Sequence, residues 1–125
     1  MFVINQDKSI YLTRGDVANI TLSADESDGE SYGFKIGDVI RLRVYERKHH
    51  DRVVLQKDVV IESESQDTSI FLGMEDTKIG ELINKPVDYW YEIELNPDTV
   101  PQTLIGYDQS GPKIFRLFPE GGEKE

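Results

Sequence analysis

Asp88-Tyr89-Trp90-Tyr91-Glu92-Ile93-Glu94-Leu95 decides the fold class. Tyr89, Tyr91, Ile93 and Leu95 fall on one side of an extended chain, and Trp90, Glu92 and Glu94 on the other. Pro86 favours extended backbone just upstream, and the apolar alternation predicts a half-buried strand with the Tyr/Ile/Leu side toward the core. A second stretch, Asp38-Val39-Ile40-Arg41-Leu42-Arg43-Val44-Tyr45, alternates in the same way, with Ile40, Leu42 and Val44 on one face and Arg41, Arg43 and Tyr45 on the other. The outward arginines match the spacing of Glu92 and Glu94. Pairing the two strands sets opposite charges side by side, which predicts that they are neighbours in one sheet.

Outward from this pair, strand signals alternate with turn chemistry over the rest of the chain. Ser9-Ile10-Tyr11-Leu12 and Ala18-Asn19-Ile20-Thr21-Leu22 flank Arg14-Gly15-Asp16, residues 25–31 read as a polar turn, residues 53–61 are rich in β-branched side chains, and Thr68-Ser69-Ile70-Phe71-Leu72 follows a polar turn. Only residues 75–83 carry a helical signal, with Asp76 or Thr77 as the cap and Ile79, Leu82 and Ile83 facing inward. After the loop at 96–101, residues 102–107 and 113–118 flank Asp108-Gln109-Ser110-Gly111-Pro112 and read as a final hairpin. The expected fold is all-β, an antiparallel immunoglobulin-like β-sandwich with one short helical turn. Its single domain covers residues 1–119, with a flexible acidic tail at 120–125.

The 125 residues suit one domain, and no apolar run reaches the roughly 20 residues of a membrane helix. The chain has no cysteine, so packing and hydrogen bonds must hold it without disulfides or thiolate chemistry. Residues 2–7 lack the basic start and long apolar centre of a secretory signal, which predicts a cytosolic location. A formal net charge of −10 repels a phosphate backbone, and the basic run Arg47-Lys48-His49-His50-Asp51-Arg52 reads as a loop of solvated charge. Neither nucleic acid nor membrane is expected as a partner.

Sites of known chemistry fit poorly. Aligning Gly29 with the glycine of a calcium-binding EF-hand loop puts Ala24 and Lys35 where oxygen donors are required, which leaves only a looser cluster of Asp25, Asp28 and Glu30. His49 and His50 point to opposite faces of extended backbone and do not readily share a metal. Glu92 and Glu94 lie about 7 Å apart on one face, a superficial likeness to a glycosidase pair. Arg41 and Arg43 explain them more simply. The reading is a non-catalytic chain without cofactor or metal, whose residues for partner or ligand contact are Trp90, Arg41, Arg43, Glu92 and Glu94. Trp90 faces outward, where an indole stacks on a sugar or fills a partner's pocket. Arg14-Gly15-Asp16 matches a cell-attachment tripeptide but reads as a turn between two strands.

The ordered set Ile10-Tyr11-Leu12-Thr13-Arg14-Gly15-Asp16, Gly37-Asp38, Leu55-Gln56-Lys57, Glu75-Asp76-Thr77 and Tyr89-Trp90-Tyr91-Glu92-Ile93-Glu94-Leu95 resembles small proteins of phages and prophages. It is similar to the N-terminal domain of siphophage upper baseplate proteins, over about residues 10–119. That resemblance implies an immunoglobulin-like sandwich serving as a virion tail or baseplate component, made in the bacterial cytoplasm and then built into the virion. Its implied partners are other tail or baseplate proteins or a second copy of the chain, in a homo-oligomer. A carbohydrate-binding sandwich using Trp90 with Tyr107 or nearby acids is the alternative reading.

Overall fold

A computed structural model describes residues 2–25, 31–46, 52–65, 67–80, 83–99, 101–106 and 111–120, with the side chains of 23–25, 31 and 32 left aside. Among the described residues, ten strands and one helical turn follow in chain order: β1 (Phe2–Ile4), β2 (Ile10–Thr13), β3 (Ala18–Asp25), β4 (Ser31–Tyr32), β5 (Val39–Tyr45), β6 (Val53–Val60), β7 (Asp67–Leu72), α1 (Met74–Thr77), β8 (Val87–Leu95), β9 (Gln102–Ile105) and β10 (Lys113–Phe118). They form two sheets. One has seven strands in the order β1-β2-β10-β8-β5-β6, with β9 also paired to β8; the other has three, in the order β4-β3-β7. The fold is all-β.

Alternation builds the core as the sequence predicts. Ile40, Leu42 and Val44 of β5, Tyr89, Tyr91, Ile93 and Leu95 of β8, and Ile10 and Leu12 of β2 are buried from the large sheet. Ala18, Ile20 and Leu22 of β3 and Ile70 and Leu72 of β7 are buried from the small one, in the same hydrophobic cluster. Burying a branched or aromatic side chain of this kind contributes roughly 1.5–3 kcal/mol, so this shared layer dominates the stability of the fold.

Three features differ from the sequence expectation. The sheet is mixed, because β10 runs parallel to β2, with Phe115 opposite Ile10 and Leu117 opposite Leu12. The cause is the turn after β2: β3 enters the small sheet and does not fold back on β2, which leaves an edge of β2 for the last strand of the chain. The second difference concerns the final hairpin: among the described residues β9 and β10 pair with β8 and not with each other. β9 pairs with residues 93–95 of β8 and β10 with residues 87–91, while β5 occupies the opposite edge of β8. The two segments therefore line one edge of a nine-residue strand in succession. Most of the turn chemistry expected at 108–112 lies outside the described residues.

The third difference is the helical turn, which starts earlier than expected, at Met74. Asp76 sits in its first turn and reaches back to accept the Gly73 N–H at 2.9 Å. Thr77 is fully buried, Ile79 is buried and Ile83 is partly buried, while Leu82 lies outside the described residues. Lys57, which faces inward from β6, donates to Asp76 at 2.9 Å. That ion pair and the Gly73 hydrogen bond hold the Asp76 carboxyl below its ordinary value. An inward charge on an outer strand also discourages edge-to-edge pairing there.

Candidate functional site

Arg14-Gly15-Asp16 forms a tight turn in which the Asp16 N–H donates to the Thr13 carbonyl at 3.0 Å. Gly15 has φ +87°, the left-handed value that a type II turn places at its third residue. Arg14 is only 8% exposed. Its guanidinium donates to the carbonyls of Ile79 and Gly80 and to Glu120 Oε1, at 3.4, 2.8 and 2.7 Å. Thr77 completes the fastening by accepting from the Gly15 N–H and donating to the Asp16 carbonyl. The turn is thus bolted to the segment after α1 and to Glu120 beyond β10. An arginine held this way is not on offer to a receptor. Glu120, assigned from the sequence to a tail, is one of its anchors, and the residues after it lie outside the described set.

The predicted pairing of the two charged strands is present, with Arg41 opposite Glu94 and Arg43 opposite Glu92. The side chains find other partners within that frame. Arg41 lies between Asp58 of β6 and Asp98 of the loop after β8, at 2.9 and 3.0 Å. These two carboxylates raise the guanidinium further above its ordinary value, and Arg41 lowers the Asp98 carboxyl. Arg43 reaches diagonally to Glu94 at 3.6 Å and donates to Gln56 at 3.1 Å. Glu92 accepts a hydrogen bond from the Tyr45 hydroxyl. Tyr45, expected among the outward residues, is buried at a register shift between Val44 and Tyr45, and burial together with Glu92 pushes its hydroxyl up to about 12.

Trp90 is half-buried on the same outer face, beside Tyr45 on β5 and Ile114 on β10 by strand register. Its indole N–H has no hydrogen-bond partner among the described residues. One row further along, Arg116 forms a fork with Asp88 at 2.6 and 3.2 Å and lies 5.1 Å from the centre of the Tyr11 ring. The Phe118 ring meets Tyr11 edge-on at 5.6 Å. Sequence reasoning missed this second charged row, since Tyr11 and Arg116 come together only through the parallel β2/β10 pairing. The alternation of Lys113-Ile114-Phe115-Arg116 was the available signal for its outward position.

The chemistry this face supports is that of a paired charge ladder. Asp7, Asp76 and Asp98 are carboxyls with lowered values, the direction opposite to that of a general acid. No group of three or more metal-ligating side chains forms among the described residues. His49, His50, Asp28 and Glu30 lie outside them, and so does Tyr107. An open depression of about 370 Å³ is lined by Gly33, Phe34, Lys35, Glu64 and Ser65, and none of the five sequence-selected residues belongs to it. No helix among the described residues is long and apolar enough to cross a membrane. Comparison with known protein families, with curated proteins and with solved structures finds no match.

Proposed function

We propose that this chain is a non-catalytic structural component of a phage or prophage tail or baseplate, an immunoglobulin-like β-sandwich that acts through protein–protein contacts. The resemblance of the ordered landmarks from Ile10 to Leu95 to siphophage baseplate proteins carries the tail role, and strand order supports the sandwich. β10-β8-β5-β6 follows the G-F-C-C′ order of an immunoglobulin variable-type sheet, and β3 and β7 take the places of strands B and E in the facing sheet. The chain departs from antibody domains in having no cysteine, and its single tryptophan stands on β8 and not on β5. A disulfide-free acidic sandwich suits a component that is made in the bacterial cytoplasm and assembles afterwards into a virion. The engaged charges of the large sheet fit the absence of catalysis in this reading.

The test is co-expression with the proteins encoded beside it, tail and baseplate proteins in this reading, followed by affinity purification and light scattering. A stoichiometric complex with one of them is the expected result. A chain that co-purifies with none of them overturns the reading.

One observation favours a second reading. Trp90 presents a partly open indole, with an N–H that has no partner among the described residues, between Tyr45 and Ile114. That arrangement suits stacking on a sugar ring. Glycan-array binding that disappears in Trp90→Ala supports a carbohydrate-binding module, and an inert array removes it.

A further inference from the structure

Trp90 is the only tryptophan of the chain. It stands half-buried on the outer face of the large sheet, and its register neighbours, Tyr45 and Ile114, are uncharged. Along β8 the outward residues on either side of it are Asp88 and Glu92, each about 7 Å away by strand geometry. Arg116 faces Asp88 from β10, and Arg43 faces Glu92 from β5. The indole therefore sits in an uncharged row between two rows that each hold one acid and one arginine. Both acids are braced. Arg116 grips Asp88 through Nε and Nη2 and donates from Nη1 to the Tyr11 hydroxyl at 3.2 Å, and Glu92 accepts from the Tyr45 hydroxyl. Even so, 36% of the Asp88 side chain and 32% of Arg116 stay in solvent.

We propose that Trp90 is the stacking platform of a binding site for a neutral pyranose sugar, with Asp88 and Arg116 on one side and Glu92 on the other engaging its hydroxyls. The inference rests on the carbohydrate reading of Trp90 and names the class of sugar and the groups that hold it. Local charge selects the occupant. With an acid and an arginine on each side, the flanking rows favour neither a cation nor an anion, and the net charge of −10 turns away anionic sugars at longer range. What fits is a neutral molecule with an apolar face and a polar rim. A pyranose has both: its C–H groups lie on the indole while its hydroxyls project sideways toward the two rows. A carboxylate oxygen has a second lone pair beyond the one that an arginine or a tyrosine uses, so the braced acids still accept hydrogen bonds from a sugar. Bracing also fixes them before the sugar arrives, which spares the cost of ordering them on binding. The indole N–H, without a partner among the described residues, adds a donor at the edge of the platform.

Intrinsic fluorescence of the full chain tests the proposal without a label, because tryptophan emission reports Trp90 alone. Neutral methyl pyranosides of the gluco, galacto and manno series are titrated to about 100 mM, and emission wavelength and acrylamide quenching are followed. The expected result is a saturable blue shift with reduced quenching for at least one of them. Saturation-transfer NMR with that sugar then compares variants: Trp90→Ala loses the signal, Asp88→Asn and Glu92→Gln each weaken binding about fivefold, and Phe71→Ser on the other sheet leaves it unchanged. The two acid variants keep the size of the side chain, so unchanged circular dichroism separates a lost hydrogen bond from a lost fold. The proposal is overturned if no neutral pyranoside changes the emission, if a sugar acid or sugar phosphate binds more tightly than any neutral sugar, or if binding is the same in Trp90→Ala. Shielding of Trp90 from acrylamide by a co-purified protein and by no sugar also overturns it. A glycan array on which only acidic glycans bind, with the signal lost in Trp90→Ala, removes the neutral site and leaves the carbohydrate reading standing, whereas an inert array removes both.

Discussion

The two sheets share one core but present opposite surfaces to solvent. On the large sheet, Arg41, Arg43, Arg116, Asp58, Asp88, Asp98, Glu92 and Glu94 are engaged with one another or with Tyr45, Gln56 and Tyr11 across five strands and a loop. On the small sheet, Asn19, Thr21 and Ser69 adjoin a largely exposed Phe71, and Asp67 follows further along the same face. The charged face looks more functional in a sequence because its residues are chemically conspicuous. In the fold those residues are spent on each other, and the quiet face has its apolar anchor still open. Density of charge and availability for binding are therefore different properties.

The contrast breaks first where the sheets are fastened together. Arg14→Ala removes donors to Ile79, Gly80 and Glu120 from a buried position, and is expected to cost about 2–3 kcal/mol in urea unfolding. A loss below about 0.5 kcal/mol shows that the corner is not a fastening. Gly15→Ala forces a Cβ into φ +87°, with Glu120 and Lys78 atoms 3.4–3.5 Å away, and is expected to cost about 1–2 kcal/mol. The same unfolding series measures it, and an unchanged midpoint contradicts the turn geometry.

A smaller effect sharpens the reading of the charged face. Tyr45→Phe deletes the hydrogen bond to Glu92 and is expected to lower stability by about 1 kcal/mol. In the wild type, Tyr45 loses its proton near 12 in the folded state against 10.0 ordinarily. A phenol raised on folding contributes stability that is complete below the unfolded value and lost as pH rises from about 10 through about 12. Melting curves across that window fall more steeply for wild type than for Tyr45→Phe. Parallel curves show that the hydroxyl is not coupled to folding.

Asp98→Ala is the smallest change. Arg41 keeps its two hydrogen bonds to Asp58 and Asp98 is largely exposed, so the melting temperature is expected to stay at the wild-type value within error. A clear drop in melting temperature shows that the ladder acts as one unit.

Much of this fold was legible because alternation is a local signal. The buried sides of β5 and β8 follow from period-two patterning, and their adjacency follows from Arg41 and Arg43 matching Glu94 and Glu92. What could not be read depended on distant chain. The parallel β2/β10 pair joins residues about a hundred positions apart, so the Arg116–Tyr11 contact had no local trace. β9 and β10 looked like a hairpin because Gly111-Pro112 is good turn chemistry, but the free edge of β8 claimed both segments. Tyr45 does alternate onto the outer face, opposite Trp90 and bonded to Glu92, yet it is buried there, which alternation alone does not reveal. Arg14 carried the charge of a surface residue, and only the return of Gly80 and Glu120 to its side explains its burial. Among the site residues, the five chosen from the sequence were the chemically loud ones; Phe71 was read there simply as part of a strand.

Amide hydrogen exchange at low and high protein concentration compares the two faces in one experiment. Slower exchange confined to β3, β7 and α1 at high concentration is the predicted result, with β5 and β8 unchanged. Slowing around Trp90 on β8, or an unchanged pattern at a concentration where the mass has doubled, contradicts the assignment of the β3/β7 face, with its exposed Phe71, as the one left open for protein contact.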